Sequence, residues 1–132
     1  PWATLEDILS ILAFVEEEGL IDCVLPVQYS IRLLVPPGSA LLSLPAMTPF
    51  LGPLDEAALT HVWAHPDPRM DRLQQAIASA VATATEEAED PLATFQRVKE
   101  IAFEAAEKPT PRVAPPRRAR QRPPGLTEAW FC

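Results

Sequence analysis

The chain has 132 residues, with 11 Lys and Arg against 18 Asp and Glu, a formal net charge of −7 and 48% hydrophobic residues. This composition folds rather than staying disordered, and the length suits one domain or a piece of a larger one. No stretch approaches the roughly 18 to 20 apolar residues of a membrane span, and two cysteines, Cys23 and Cys132, are too few for a disulfide framework or an all-cysteine metal site. Sixteen prolines stand against four glycines, more than twice the usual proline share of about 5%. The first residue is Pro1, not Met, and the chain reads as a fragment.

Thr4 and Asp7 form a capping box with Asp in the usual Glu position. Leu5, Ile8, Leu9, Leu12 and Val15 recur at helical spacing, and Gly19 offers a left-handed stop, so residues 5–18 are predicted helical. Glu16, Glu17 and Glu18 sit where the helix dipole disfavours acid; they read as a solvated face, with a basic partner as the alternative. Cys23 opens an apolar run and is expected to be a buried, unreactive thiol.

Val27, Tyr29, Ile31, Leu33 and Val35 alternate with Gln28, Ser30, Arg32 and Leu34, which predicts a strand over 27–35, stopped by Pro36-Pro37-Gly38-Ser39. Arg32 on its second face either reaches water or lines a cavity. Residues 40–54, broken by Pro45, Pro49 and Pro53, read as a covering loop. Residues 59–64 are a short strand or the end of a short helix opened by Asp55-Glu56. Asp67-Pro68 and Asp90-Pro91 each place an N-cap before a proline at the first helical position, predicting helices to about 87 and 107. The fold class is therefore mixed α/β, with too few strands for a self-sufficient sheet.

Charge divides the chain. Residues 1–107 hold five basic and 17 acidic side chains, net −12; residues 108–132 hold six basic and one acidic, net +5. Six prolines fall in that second part, so 108–125 is expected to be an extended, mobile linker. It lacks interleaved aromatics, so nucleic acid is not the expected partner.

Local chemistry is sparse. His61 and His65 are four apart, a spacing that on a helix can hold a metal, but no third ligand is evident, and a surface or helix-entry role is the plainer reading. The four glycines are too scattered for a phosphate loop. Cys132 follows Leu126-Thr-Glu-Ala-Trp-Phe131 beyond the linker, the arrangement of a redox arm that docks, exchanges thiol for disulfide and leaves. Its partner would be Cys23 or a residue beyond the visible end.

Three stretches carry a family resemblance: Trp2-Ala-Thr-Leu-Glu-Asp7, Phe14-Val-Glu-Glu-Glu-Gly-Leu-Ile-Asp22, and Pro26-Val-Gln-Tyr-Ser-Ile-Arg-Leu-Leu-Val-Pro-Pro-Gly-Ser-Ala-Leu-Leu42. Together they resemble the C-terminal part of a radical SAM enzyme, the last helix and strand of its partial (β/α) barrel. Leu34-Val-Pro-Pro-Gly-Ser-Ala-Leu41 is similar to the L-x-P-x-P-G-T-x-L turn of several such families, whose backbone lies near the adenine of S-adenosylmethionine; Ser39 replaces the Thr and one proline is displaced. Pro123-Pro-Gly-Leu-Thr-Glu-Ala-Trp-Phe-Cys132 resembles the end of radical SAM proteins with a CUAEP or CCAEP tail, in which Cys precedes selenocysteine or cysteine. A UGA selenocysteine codon after Cys132 would account for the terminus.

The resemblance implies cofactor-binding roles for Arg32, Leu34, Val35 and Gly38 and a redox role for Cys132. It divides the chain into the closing helix and strand of a barrel with its covering loop (1–54), a helical extension (55–107), a basic linker (108–125) and a redox tail (126–132). The family's S-adenosylmethionine and 4Fe-4S cluster need a Cys-x3-Cys-x2-Cys loop. This chain, with cysteines 109 positions apart, lacks it and is expected to be inactive alone. The missing barrel of the same protein is then the expected partner, a substrate is unspecified, no metal ligands are assigned here, and unpaired thiols fit a reducing cytoplasm. The competing reading is a non-enzymatic interaction module with an acidic helical body and a basic Pro-rich arm.

Overall fold

A computed structural model describes residues 1–113. Helix α1 covers Leu5–Glu17, α2 Pro68–Glu86 and α3 Pro91–Ala105, and a hairpin of β1 (Leu51–Asp55) and β2 (Thr60–Trp63) lies between α1 and α2 in the chain. The fold is mixed α/β: three helices and a two-stranded antiparallel sheet.

Each helix starts where local chemistry dictates. The Asp7 amide donates to Thr4 Oγ1 at 3.2 Å and the Thr4 amide donates back to Asp7 Oδ2 at 2.8 Å, closing the capping box. Asp67 and Asp90 accept from the Arg69 and Leu92 amides, each at 2.9 Å, with proline at the first helical position. All three helices end in the same double bond. Beyond α1, Gly19 adopts φ 68° while the Leu20 amide reaches Val15 O. Ala88 at φ 49° and Glu107 at φ 55° hold the equivalent positions after α2 and α3, where glycine fits without strain.

The core forms where α1, α2 and α3 meet. Leu9, Leu12 and Val15 pack with Leu73, Ile77 and Val81 and with Phe95, Val98 and Ala102, the apolar stripes that 3.6-residue spacing predicts. Thr94 and Lys99 are buried too, which the apolar pattern did not foresee. Lys99 Nζ donates to Glu16 on α1, so one of the three terminal glutamates has a buried basic partner. Tyr29 packs tilted against Phe95, ring centroids 5.8 Å apart.

The strand expected over 27–35 does not form. Pro26–Ser30 is a 3-10 turn, and residues 31–35 after it belong to neither helix nor strand. Alternation alone does not make a strand; its backbone needs a neighbouring edge. Here that neighbour is brief: the Val35 amide donates to Thr60 Oγ1 at 2.8 Å and Val35 O accepts from the His61 amide at 2.8 Å. The covering loop likewise gives way in part, since residues 51–55 form β1 and 40–43 and 48–50 are 3-10 turns. Gly52 and Pro53 are tolerated in β1 because the register slips between Leu51 and Leu54. A Cβ on Gly52 would stand 3.2 Å from Val62 O. Asp55-Glu56 opens no helix; Asp55 Oδ1 accepts from the Ala57 and Ala58 amides, both at 3.0 Å, and turns the hairpin.

The start of the Pro-rich segment is tied to the body. Lys108 pairs with Glu6, the Val113 amide donates to Gln96 Oε1 at 2.9 Å, and Val113 packs on the core. The remainder of the basic linker, the 126–132 segment and Cys132 lie outside the described residues. Among the described residues no helix is long and apolar enough to cross a membrane.

Candidate functional site

A half-open cleft of ≈ 210 Å³ lies between α2, the Pro26–Ser30 turn and the residues that follow it. Its polar side is built around Arg32. This residue leaves the backbone just after the turn, whose position on α2 is held by a hydrogen bond from Gln74 Nε2 to Ser30 O at 2.9 Å. The guanidinium donates from NH1 to Asp71 Oδ1 at 2.7 Å and from NH2 to Trp63 O at 2.6 Å, and its Cζ lies 3.9 Å from the Trp63 ring centroid. Trp63 is itself fixed, since its Nε1 donates to Leu33 O at 2.8 Å.

Asp71 belongs to the first turn of α2, where the helix dipole favours an anion. Its second oxygen accepts from the His65 amide at 3.0 Å. Burial works against its ionisation, but the bonds from Arg32 and His65 and the Arg32 charge outweigh this and hold the carboxyl below the ordinary aspartate value. The His65 ring is pinned as well: Nδ1 accepts from the Asp67 amide at 2.9 Å and Nε2 donates to Ala3 O at 2.9 Å, tying the segment before α1 to the start of α2. Tyr29 completes the wall. Its hydroxyl is buried without a hydrogen-bond partner among the described residues, and burial pushes its pKa up to about 12.

Of the four residues assigned to a cofactor by resemblance, only Arg32 lines the cleft. Leu34 is 69% exposed, Val35 is fully buried with both backbone groups engaged, and Gly38 sits in an exposed turn at φ 81°. They are not brought into one pocket. Trp63, Asp71, His65 and Tyr29, which sequence reasoning did not assign to a site, are. The available signal was the density of Trp, His and Asp over residues 63–71, read there as a helix start.

One further expectation changes, and the histidine pair takes the plainer of its two readings. Cys23 is exposed, not buried, because it ends a short 3-10 turn outside the helix stripes. His61 and His65 do not share a helix: His61 is in β2, with Nδ1 3.3 Å from Gly52 O, and His65 follows the strand. Among the described residues no group of three His, Cys, Asp or Glu side chains is placed to hold a metal.

The residues do not fit a four-iron cluster, which takes cysteine thiolates; Cys23 is the single described cysteine. The cleft, at ≈ 210 Å³, is smaller than the roughly 300 to 1,000 Å³ of drug-sized ligand pockets. Chemically, it offers oriented donors and an Arg32–Asp71 ion pair beside an apolar wall. No family model, curated protein or solved structure matches the chain.

Proposed function

We propose that this chain is the C-terminal part of a radical SAM enzyme carrying a redox-active Cys-Sec or Cys-Cys tail. The observation that carries the reading is the resemblance of residues 1–42 and 123–132 to that family. A structural feature supports it. Leu25, Val27, Ile31 and Leu34 are each more than half exposed, and beside them the amides of residues 31–34 make no hydrogen bond among the described residues. Exposed apolar side chains along an open backbone edge suit a surface that packs on further strands.

In the parent protein, Arg32 would lie against the cofactor, with the 4Fe-4S cluster held by residues outside this chain. Cys132 would act with its neighbour as a thiol pair in a reducing cytoplasm. The chain by itself would have no activity.

The test is to read the genomic DNA on both sides of the coding segment. An in-frame Cys-x3-Cys-x2-Cys loop upstream, and a UGA or Cys codon followed by Ala-Glu-Pro downstream, are expected. An ordinary stop directly after Cys132, and no cluster loop upstream in the same frame, would sink the proposal.

A second reading rests on charge. The net −12 of residues 1–107 against the +5 of 108–132 favours an interaction module that takes a basic partner on its body. Salt-dependent binding of a polylysine peptide, together with the negative genomic result, would favour it.

A further inference from the structure

We propose that the exposed face of α1 around Ile11 and Phe14 is the docking surface for this chain's own C-terminal segment, residues 114–132. Its arginines meet Glu17 and Glu18, and its Leu126, Trp130 and Phe131 cover the apolar side chains. The inference goes beyond the radical SAM reading and stands without it.

The surface is apolar where a helix ordinarily turns polar groups to water. Ile11 and Phe14 are each 56% exposed and, three positions apart, are neighbours on the helix surface. They lie off the Leu9, Leu12 and Val15 stripe that packs in the core. Glu17 and Glu18 follow at the helix end, both exposed and in none of the ion pairs among the described residues. No basic residue stands in the last turn of α1. The negative end of the helix dipole and these carboxylates therefore act together and favour a cation.

The described chain ends near this face. Lys108 pairs with Glu6 at the start of α1. The Val113 amide is bonded to Gln96, one helical turn from Lys99, which reaches Glu16 near the end of α1. Residues 114–132 then carry Arg117, Arg118, Arg120 and Arg122 against one acid, Glu128, and end in Leu126, Trp130 and Phe131 before Cys132. Arg117 is four residues beyond Val113, a reach of up to about 14 Å. The whole of α1, 13 residues, is about 20 Å long, so the aromatic end spans it. Tethering presents the segment at an effective concentration of about millimolar, so weak contacts suffice.

Charge selects this occupant. The α1 face of a second copy would bring Glu17 and Glu18 against the same acids, on a body of net −12 over residues 1–107. The other exposed apolar stretch, residues 24–35, contains Arg32 and no acid, so it offers the arginines nothing.

The test places a nitroxide spin label on Cys132 of the full chain, in a Cys23→Ser background, and reads amide signal intensities by NMR. Signals of Ser10, Ile11, Phe14 and Glu17 should lose most of their intensity, while those at the hairpin tip, Glu56 to Leu59, keep theirs. Ile11→Ser with Phe14→Ser, both at exposed positions, should restore the signals with an unchanged circular dichroism spectrum. Arg117→Gln, Arg118→Gln, Arg120→Gln and Arg122→Gln together should do the same without touching α1. A mixture of isotope-labelled chains lacking the nitroxide with unlabelled chains carrying it should show no loss. No loss on α1, loss concentrated on residues 24–35, or loss that persists in either variant overturns the proposal. Loss in the mixture as large as in the single chain means that a second copy is docking and overturns it too. The genomic result decides the parent enzyme separately, so either proposal can fail alone.

Discussion

The Arg32 guanidinium is stacked 3.9 Å from the Trp63 ring centroid while it donates a hydrogen bond to that residue's own carbonyl at 2.6 Å. One side chain thus grips the other from above and at its backbone, and a third bond, to Asp71, anchors the pair to α2. The loop after α1, the end of β2 and the start of α2 meet at this point.

Arg32→Ala should lower stability by about 2 kcal/mol, since it deletes a cation–π contact and two charge-assisted hydrogen bonds in a partly buried site. Arg32→Lys should recover less than half of that, because an ammonium cannot stack flat and make both bonds. Chemical denaturation followed by Trp fluorescence measures both; a full recovery by Lys would show that charge alone matters.

Asp71 makes stability depend on acid. Its folded pKa lies below its ordinary value, so the unfolded chain binds the proton more tightly. The contribution is complete above the unfolded value of about 3.9 and is lost as pH falls through the lower folded value. Asp67, held at about 2 by hydrogen bonds from Arg69, and Asp7, lowered by Thr4, act in the same window. Thermal unfolding should be nearly flat from pH 7 to 5 and fall below about pH 4, with a shallower fall in Asp71→Asn. An identical profile in that variant would remove Asp71 from the account.

Ala88→Gly and Glu107→Gly should each stabilise the chain. Both residues occupy the left-handed position after a helix, at φ 49° and 55°, where a Cβ costs roughly 1 kcal/mol. Glycine's greater freedom in the unfolded chain takes back part of that gain, leaving about 0.5 kcal/mol. A drop in the urea midpoint in both variants would mean the helix ends are not held as described.

Lys99 and Glu16 form an ion pair in which Lys99 is 4% exposed. Glu16→Gln should cost about 3 kcal/mol by stranding a buried ammonium. Adding Lys99→Met should restore most of it, because a buried pair replaced by apolar packing is often near neutral. A double variant no more stable than Glu16→Gln would place the cost elsewhere, in the packing around Lys99.

Local chemistry was legible in the residues themselves. The boxes and caps at Thr4, Asp67 and Asp90 and the stop at Gly19 depend on bonds spanning a few positions, so they can be read from sequence without knowing the fold. Helix faces followed for the same reason, because 3.6-residue spacing is a property of the chain alone. Residues 27–35 show the limit. Their alternation suits a strand, but strand formation is decided by a partner edge, and the fold supplies one only at Val35.

The cleft belongs wholly to the tertiary level. Arg32 reaches Trp63 and Asp71 across 31 and 39 positions, and no periodicity encodes such distances. The same holds for the burial of Lys99 against Glu16, 83 positions away, and for the exposure of Cys23. Sequence set which residues could cap, stack or pair. Packing of α1, α2 and α3 set which of them met, because only burial of their shared apolar stripes brings distant polar groups within bonding range.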